Sequence, residues 1–151
     1  RCCCVVSTMT VQSLHIFDRR GKTLFTKRYF QSSQPEDEEQ LSEQRKLIFG
    51  MLFSLRELVS SIAPETDIRD KGLYSVKTGA STLHNFETAS GLRFTVYTTS
   101  NKGNPDNASI RETLRYIYTE LWVECVVRSP LYRPEELGKS FDISTTNFEK
   151  R

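Results

Sequence analysis

The residues whose types most readily do chemistry are the two histidines, His15 and His84, and the four cysteines, Cys2, Cys3, Cys4 and Cys125. An imidazole titrates near neutral pH and serves as base, acid or metal ligand. Both histidines fall in β-like stretches, and neither has a partner at a spacing that assembles a site. His84 and Glu87 are three apart, so in a strand they point to opposite faces. Asp18 is a candidate carboxylate, but it opens the stretch Asp18-Arg19-Arg20-Gly21, where aspartate is favoured for turn geometry. The adjacent Cys2, Cys3 and Cys4 neither close loops like a disulfide framework nor have the spacing that surrounds a zinc ion. Their flanks carry no polybasic or amphipathic segment of the kind that accompanies S-acylation. Cys125 sits among apolar residues and reads as an inert core thiol. The phosphate-binding loop, the dinucleotide glycine fingerprint, the serine nucleophile elbow and the zinc-protease helix motif are all absent from the sequence. These residues therefore predict a protein with no catalytic, cofactor-binding or metal-binding residues, one that works by binding other proteins.

The elements that hold these residues follow from periodicity. Residues 10–17 and 23–30 are rich in β-formers and flank a polar turn ending in Gly21, which reads as a hairpin with glycine in the left-handed position. Residues 32–42 are polar and acidic, a solvated loop whose carboxylates suit the positive end of a following helix dipole. Residues 41–63 then repeat at a helical period. Leu41, Ile48, Met51, Leu52, Leu55, Val59 and Ile62 share one stripe, and Pro64 ends the run. Gly50 in its middle costs about 1 kcal/mol relative to alanine, which predicts close packing against another backbone. Three further strands are expected at 73–78, 82–88 and 92–99, joined by short glycine-containing links as an antiparallel meander. A second helix is expected from Ser109 to Arg128, with Ser109 and Glu112 as a capping box and Ile110, Leu114, Ile117, Leu121 and Cys125 as its stripe. A weaker helix is expected between Pro134 and Phe148. The order ββαβββαα predicts an α+β fold, a three-layer α-β-α sandwich with a helix on each face of a five-stranded antiparallel sheet.

The length of 151 residues suits one domain with a proper core. Residues 9–151 read as that domain, and residues 1–8 as an N-terminal extension outside it. A net charge of +2 points neither to nucleic acid nor to a membrane surface as partner. No apolar run approaches the roughly 18 residues a bilayer span needs, since even 121–127 is broken by Glu124.

Binding surfaces are expected on the backs of the helices. Phe49 and Phe53 are i, i+4 and fall off the stripe of the first helix; Lys46 and Arg56 would form their rim, with Gly50 between. On the second helix, Tyr116, Val123 and Val127 lie roughly opposite Leu114 and Leu121. Aromatic rings on the outer face of a helix point to a protein interface.

Several segments agree in order and spacing with one family. These are residues 9–21, which read Met9-Thr10-Val11-Gln12-Ser13-Leu14-His15-Ile16-Phe17-Asp18-Arg19-Arg20-Gly21, then residues 46–56, which include Phe49-Gly50-Met51-Leu52-Phe53. Leu83-His84-Asn85-Phe86-Glu87-Thr88 with Ser90-Gly91-Leu92-Arg93-Phe94 follows, and Ile117-Tyr118 with Leu121-Trp122-Val123-Glu124 closes the match. Over about residues 9–131 the chain resembles the longin-type subunits of the TRAPP complex. The resemblance implies a longin-like fold and a core structural subunit of the complex that tethers vesicles between endoplasmic reticulum and Golgi. The expected partners are other TRAPP subunits, including a second longin-type subunit, and a Rab GTPase that the assembled complex serves as nucleotide exchange factor. The expected location is cytoplasmic, peripheral to those membranes and without a transmembrane anchor. The alternatives are the small chain of a clathrin-adaptor complex, whose first hairpin is similar to residues 17–23, and a small-molecule-binding α/β domain.

Overall fold

The computed structural model describes residues 10–29, 37–62, 73–79, 81–99 and 107–130. The expected extension at 1–8 and the expected helix between Pro134 and Phe148 lie outside these residues. The chain divides into two compact units, residues 1–107 and 108–151.

The first unit is built on five antiparallel strands: β1 (Val11–Phe17), β2 (Thr23–Arg28), β3 (Ser75–Thr78), β4 (Ser81–Glu87) and β5 (Arg93–Thr99), in the spatial order β2-β1-β5-β4-β3. The first and last strands are therefore neighbours at the sheet centre. One helix, α1 (Glu38–Ile62), interrupts the strand sequence after β2. The α+β class, the antiparallel sheet and the order ββαβββα are as the sequence implies.

The β1–β2 and β4–β5 turns are built alike. Asp18 N donates to Lys22 O and Gly21 N to Asp18 O; in the second turn Thr88 N donates to Leu92 O and Gly91 N to Thr88 O. Gly21 (φ 85°) and Gly91 (φ 87°) both take the left-handed conformation that only glycine adopts without strain. Because β1 and β5 are adjacent, the two turns meet, and a Cβ on Gly91 would lie 2.8 Å from Arg19 Cβ.

The two faces of the sheet differ in polarity, although both carry apolar residues. One face carries Leu14, Ile16, Phe94 and Val96, all buried, beside the buried Thr82, His84 and Thr98. The face beneath α1 carries Ser13, His15, Asn85, Arg93 and Thr95, also buried, together with the apolar Phe17 and Leu83 and with Tyr97. Helix α1 covers this face and starts one turn earlier than expected. The helix incorporates Glu38 and Glu39, whose carboxylates favour the positive end of its dipole, and Leu41 N closes the first turn on Asp37 O.

The second unit begins with α2 (Asn107–Tyr116), which continues as a π-helical run over Ile117–Val127. The expected capping box fails, because the helix begins before Ser109 and encloses it. The wider winding runs to the end, where Arg128 N donates to Val123 O, five residues back, at 3.0 Å. Leu114, Trp122 and Val126 are its buried residues.

Candidate protein interface

Helix α1 lies on the sheet rotated from the orientation that its most hydrophobic stripe suggests. Leu52 is its one fully buried side chain, and Ile48, Leu55 and Val59 flank it half-buried. Ile62, expected in the core, is 71% exposed. The rotation is towards Phe49, whose ring packs 5.8 Å from that of Phe17 and fills the space over Gly21, where an added Cβ would meet it at 2.8 Å. The Arg93 guanidinium, on the sheet, lies 4.8 Å from the Phe49 ring centroid and 5.8 Å from that of Phe53.

This arrangement has an electrostatic cause. Arg93 is only 4% exposed, and its Nη1 has no hydrogen-bond partner among the described residues. The negative faces of two phenyl rings stand where an acceptor would otherwise be needed. Glu87 completes the site, 3.8 Å from Arg93 Nε and 3.3 Å from Arg56 Nε. Burial lowers the Arg93 pKa, while Glu87 opposes that shift. Phe49 therefore has partners within the chain and faces the sheet, which corrects its expected place on the outer face, while Arg56 pairs with Glu87 and keeps a side chain 44% exposed. Phe53 spans both environments, stacked 6.5 Å from Phe49 yet 48% exposed.

The outer face of α1 is made by other residues. Leu47 is 72% exposed and Leu58 53% exposed, one turn or more either side of Gly50 and Ser54 on the same side of the helix. Gly50 is exposed, and an added Cβ would meet nothing within 4 Å. Among the described residues, therefore, no backbone makes the expected close approach. Lys46 is exposed beside this strip. In the second unit, Tyr116 (56%) and Val127 (45%) are exposed, as their positions predict, while Val123 is half-buried. Exposed leucines are legible in a sequence only if the helix rotation is known, and here the buried arginine sets the rotation.

The histidines are structural in setting. His15 is 6% exposed; its Nδ1 is 3.2 Å from Thr26 Oγ1 and its Nε2 is 3.1 Å from Ser13 Oγ. Desolvation first, then Arg45 and Arg28, pull its pKa down to about 4. The Ser13–His15 contact resembles half of a nucleophilic pair. Its imidazole is a weak base, however, and a threonine hydroxyl occupies the position where a carboxylate would orient such a ring. His84, on the other face, contacts Thr98 Oγ1 at 3.2 Å, and burial lowers its pKa. Among the described residues no three metal-ligating side chains cluster, and no helix is long and apolar enough to cross a membrane.

The model of the Sybindin-like family matches residues 11–147. The chain belongs to the Sybindin-like family. This Sybindin-like chain is 38% identical over 126 residues to "Trafficking protein particle complex subunit 1" of Rattus norvegicus, covering 82% of the chain and 79% of the relative. It is 37% identical over the same span to the Homo sapiens protein of that name. It is 35% identical over 133 residues to "Transport protein particle subunit bet5" of Schizosaccharomyces pombe, covering 82% and 80%. The family match runs through the sheet, α1 and the described part of the second unit.

Proposed function

We propose that this chain is a core structural subunit of the TRAPP vesicle-tethering complex, acting in transport between endoplasmic reticulum and Golgi. The observation that carries this reading is the 38% identity to a trafficking protein particle complex subunit over 79% of that relative's length. The chain contributes a surface rather than a reaction. It resides at the cytoplasmic side of those membranes through the complex, and the assembled complex, not this chain alone, performs nucleotide exchange on a Rab GTPase.

The surface is the outer strip of α1. Leu47 and Leu58 supply apolar area, and Gly50 with Ser54 leaves room for a partner backbone to approach between them. A second longin-type subunit is the partner, with Lys46 at the rim and Phe53 at the border. Tyr116 and Val127 offer a separate exposed apolar pair on the second unit. The test is co-expression with the other complex subunits, followed by affinity purification through the second longin-type subunit. Leu47→Asp with Leu58→Asp, and separately Gly50→Leu, should leave the isolated chain folded by circular dichroism and cut its recovery in the complex at least about tenfold, the loss of roughly 1.4 kcal/mol or more. Full recovery of both variants would remove α1 from the interface.

A further inference from the structure

A cavity of about 540 Å³ opens between the N-terminal half of α1 and strands β1, β2 and β5. Its size falls within the range of small-ligand sites. The lining is divided by chemistry. Arg45 of α1 and Arg28 of β2 stand on two walls. Ser13, Thr26 and Tyr97 supply hydroxyls, and Gln12 and Gln44 supply amides. Leu41, Leu47 and Ile48 make an aliphatic border on the helix side. Of the lining residues His15 is buried and Arg28 is exposed.

We infer that this cavity is a binding site for a small organic phosphate, whose phosphate lies between Arg28 and Arg45 and whose carbon skeleton rests on Leu41 and Ile48. Two guanidiniums on opposing elements, with the Tyr97 hydroxyl and the Gln12 and Gln44 amides around them, offer more donors than a carboxylate takes up, while the Ser13 and Thr26 hydroxyls are engaged with His15. A phosphate group accepts from several donors at once and takes guanidiniums bidentately. The two arginines have other contacts as well: Arg45 Nη2 is 3.2 Å from Glu38, which is 82% exposed, and Arg28 has a partner of its own. A guanidinium has five N–H donors, so such contacts orient it without exhausting it. The electric field of both arginines already reaches the cavity, since both act on the buried His15. The cavity shares Leu47 with the proposed assembly surface, whereas Arg28 and Arg45 belong to the cavity alone.

The same phosphate chemistry comes either as a soluble metabolite or as a lipid headgroup, and the test separates them. The full chain is titrated calorimetrically, in phosphate-free buffer, with inorganic phosphate, glycerol 3-phosphate and a soluble inositol bisphosphate. Flotation is run with phosphatidylcholine vesicles, with and without a phosphatidylinositol phosphate. Saturable one-to-one binding of an organic phosphate is expected, weakened at least about tenfold by Arg28→Gln and by Arg45→Gln, each of which removes a charge-assisted contact. Glu38→Gln, which releases Arg45 from its surface partner, should tighten binding. On saturation the His15 ring resonances should titrate at a higher pH, because a nearby anion favours imidazolium. Binding of the free headgroup assigns a soluble ligand, and binding of the vesicles alone assigns a lipid; either result supports the site. No saturable binding of any probe, or binding that survives both arginine substitutions, overturns the inference and leaves the proposed place in the complex untouched.

Discussion

At the scale of single residues, two side chains beneath α1 carry measurable consequences. Phe49 packs on Phe17, covers Gly21 and faces Arg93. Phe49→Ala should destabilise the fold by about 2–3 kcal/mol, somewhat below the cost of removing a fully buried phenylalanine, because it loses packing and leaves a buried guanidinium without its aromatic cover. Phe53→Ala, at a half-exposed position, should cost less than about half of that. Urea denaturation of the two variants checks the order; equal and negligible losses would return both rings to the outer surface. His15 gives a pH dependence. Its pKa is lowered to about 4 from 6.5, so between these values the unfolded chain binds more protons than the folded one. Stability is then full above pH 6.5 and declines as pH falls towards 4, by up to about 3 kcal/mol at 1.36 kcal/mol per unit. His84 is shifted in the same direction and adds to the slope. Denaturation curves at pH 7.5 and pH 5 should differ clearly in the parent and less in His15→Gln.

At the scale of elements, the paired turns tie the sheet end together. Gly91 needs φ 87° and sits where a Cβ would meet Arg19 Cβ at 2.8 Å, so both backbone conformation and packing oppose a side chain. Gly91→Ala should cost about 1–3 kcal/mol, the usual range for a residue forced into a sparsely populated conformation. Gly79→Ala is the control, since nothing lies within 4 Å of its added Cβ. Melting temperatures that fall equally in both variants would show that the contact between turns is unimportant. The same glycine pattern was legible in the sequence: both turns have a polar run ending in glycine between β-formers. The contact between them was not, because it depends on β1 and β5 becoming neighbours across some 75 residues of chain, a pairing no local pattern specifies.

At the scale of the whole molecule, the assembly test rests on a contrast at Gly50. Among the described residues nothing lies within 4 Å of an added Cβ at this exposed position, so in the isolated chain a larger side chain should be tolerated and should even favour the helix by roughly 0.5–1 kcal/mol. In the proposed complex the same side chain would stand between this helix and its partner. A variant that is more stable alone and weaker in assembly separates an interface glycine from a merely unfavourable one. The leucine substitutions act through lost apolar area, at about 25 cal/mol per Å² less ordering costs. Phe53→Ala should weaken recovery less than either change, because its ring already has partners within the chain.

Taken by itself, the sequence determined the element types and their order. Alternating β-formers, glycine-ended turns, a helical period over residues 41–63 and the resemblance of several segments to one family are local or additive signals. It also placed the candidate interface on α1. Tertiary structure decided which side of α1 faces outward. Periodicity ranks helix faces by hydrophobicity, as though any sheet beneath were apolar. Here the sheet offers α1 a face where imidazole, hydroxyl and guanidinium groups stand among Phe17 and Leu83, and a buried Arg93 is better covered by phenyl rings than by aliphatic side chains. That interaction joins residues more than 40 positions apart, turns Phe49 inward, and leaves Leu47 and Leu58 outside.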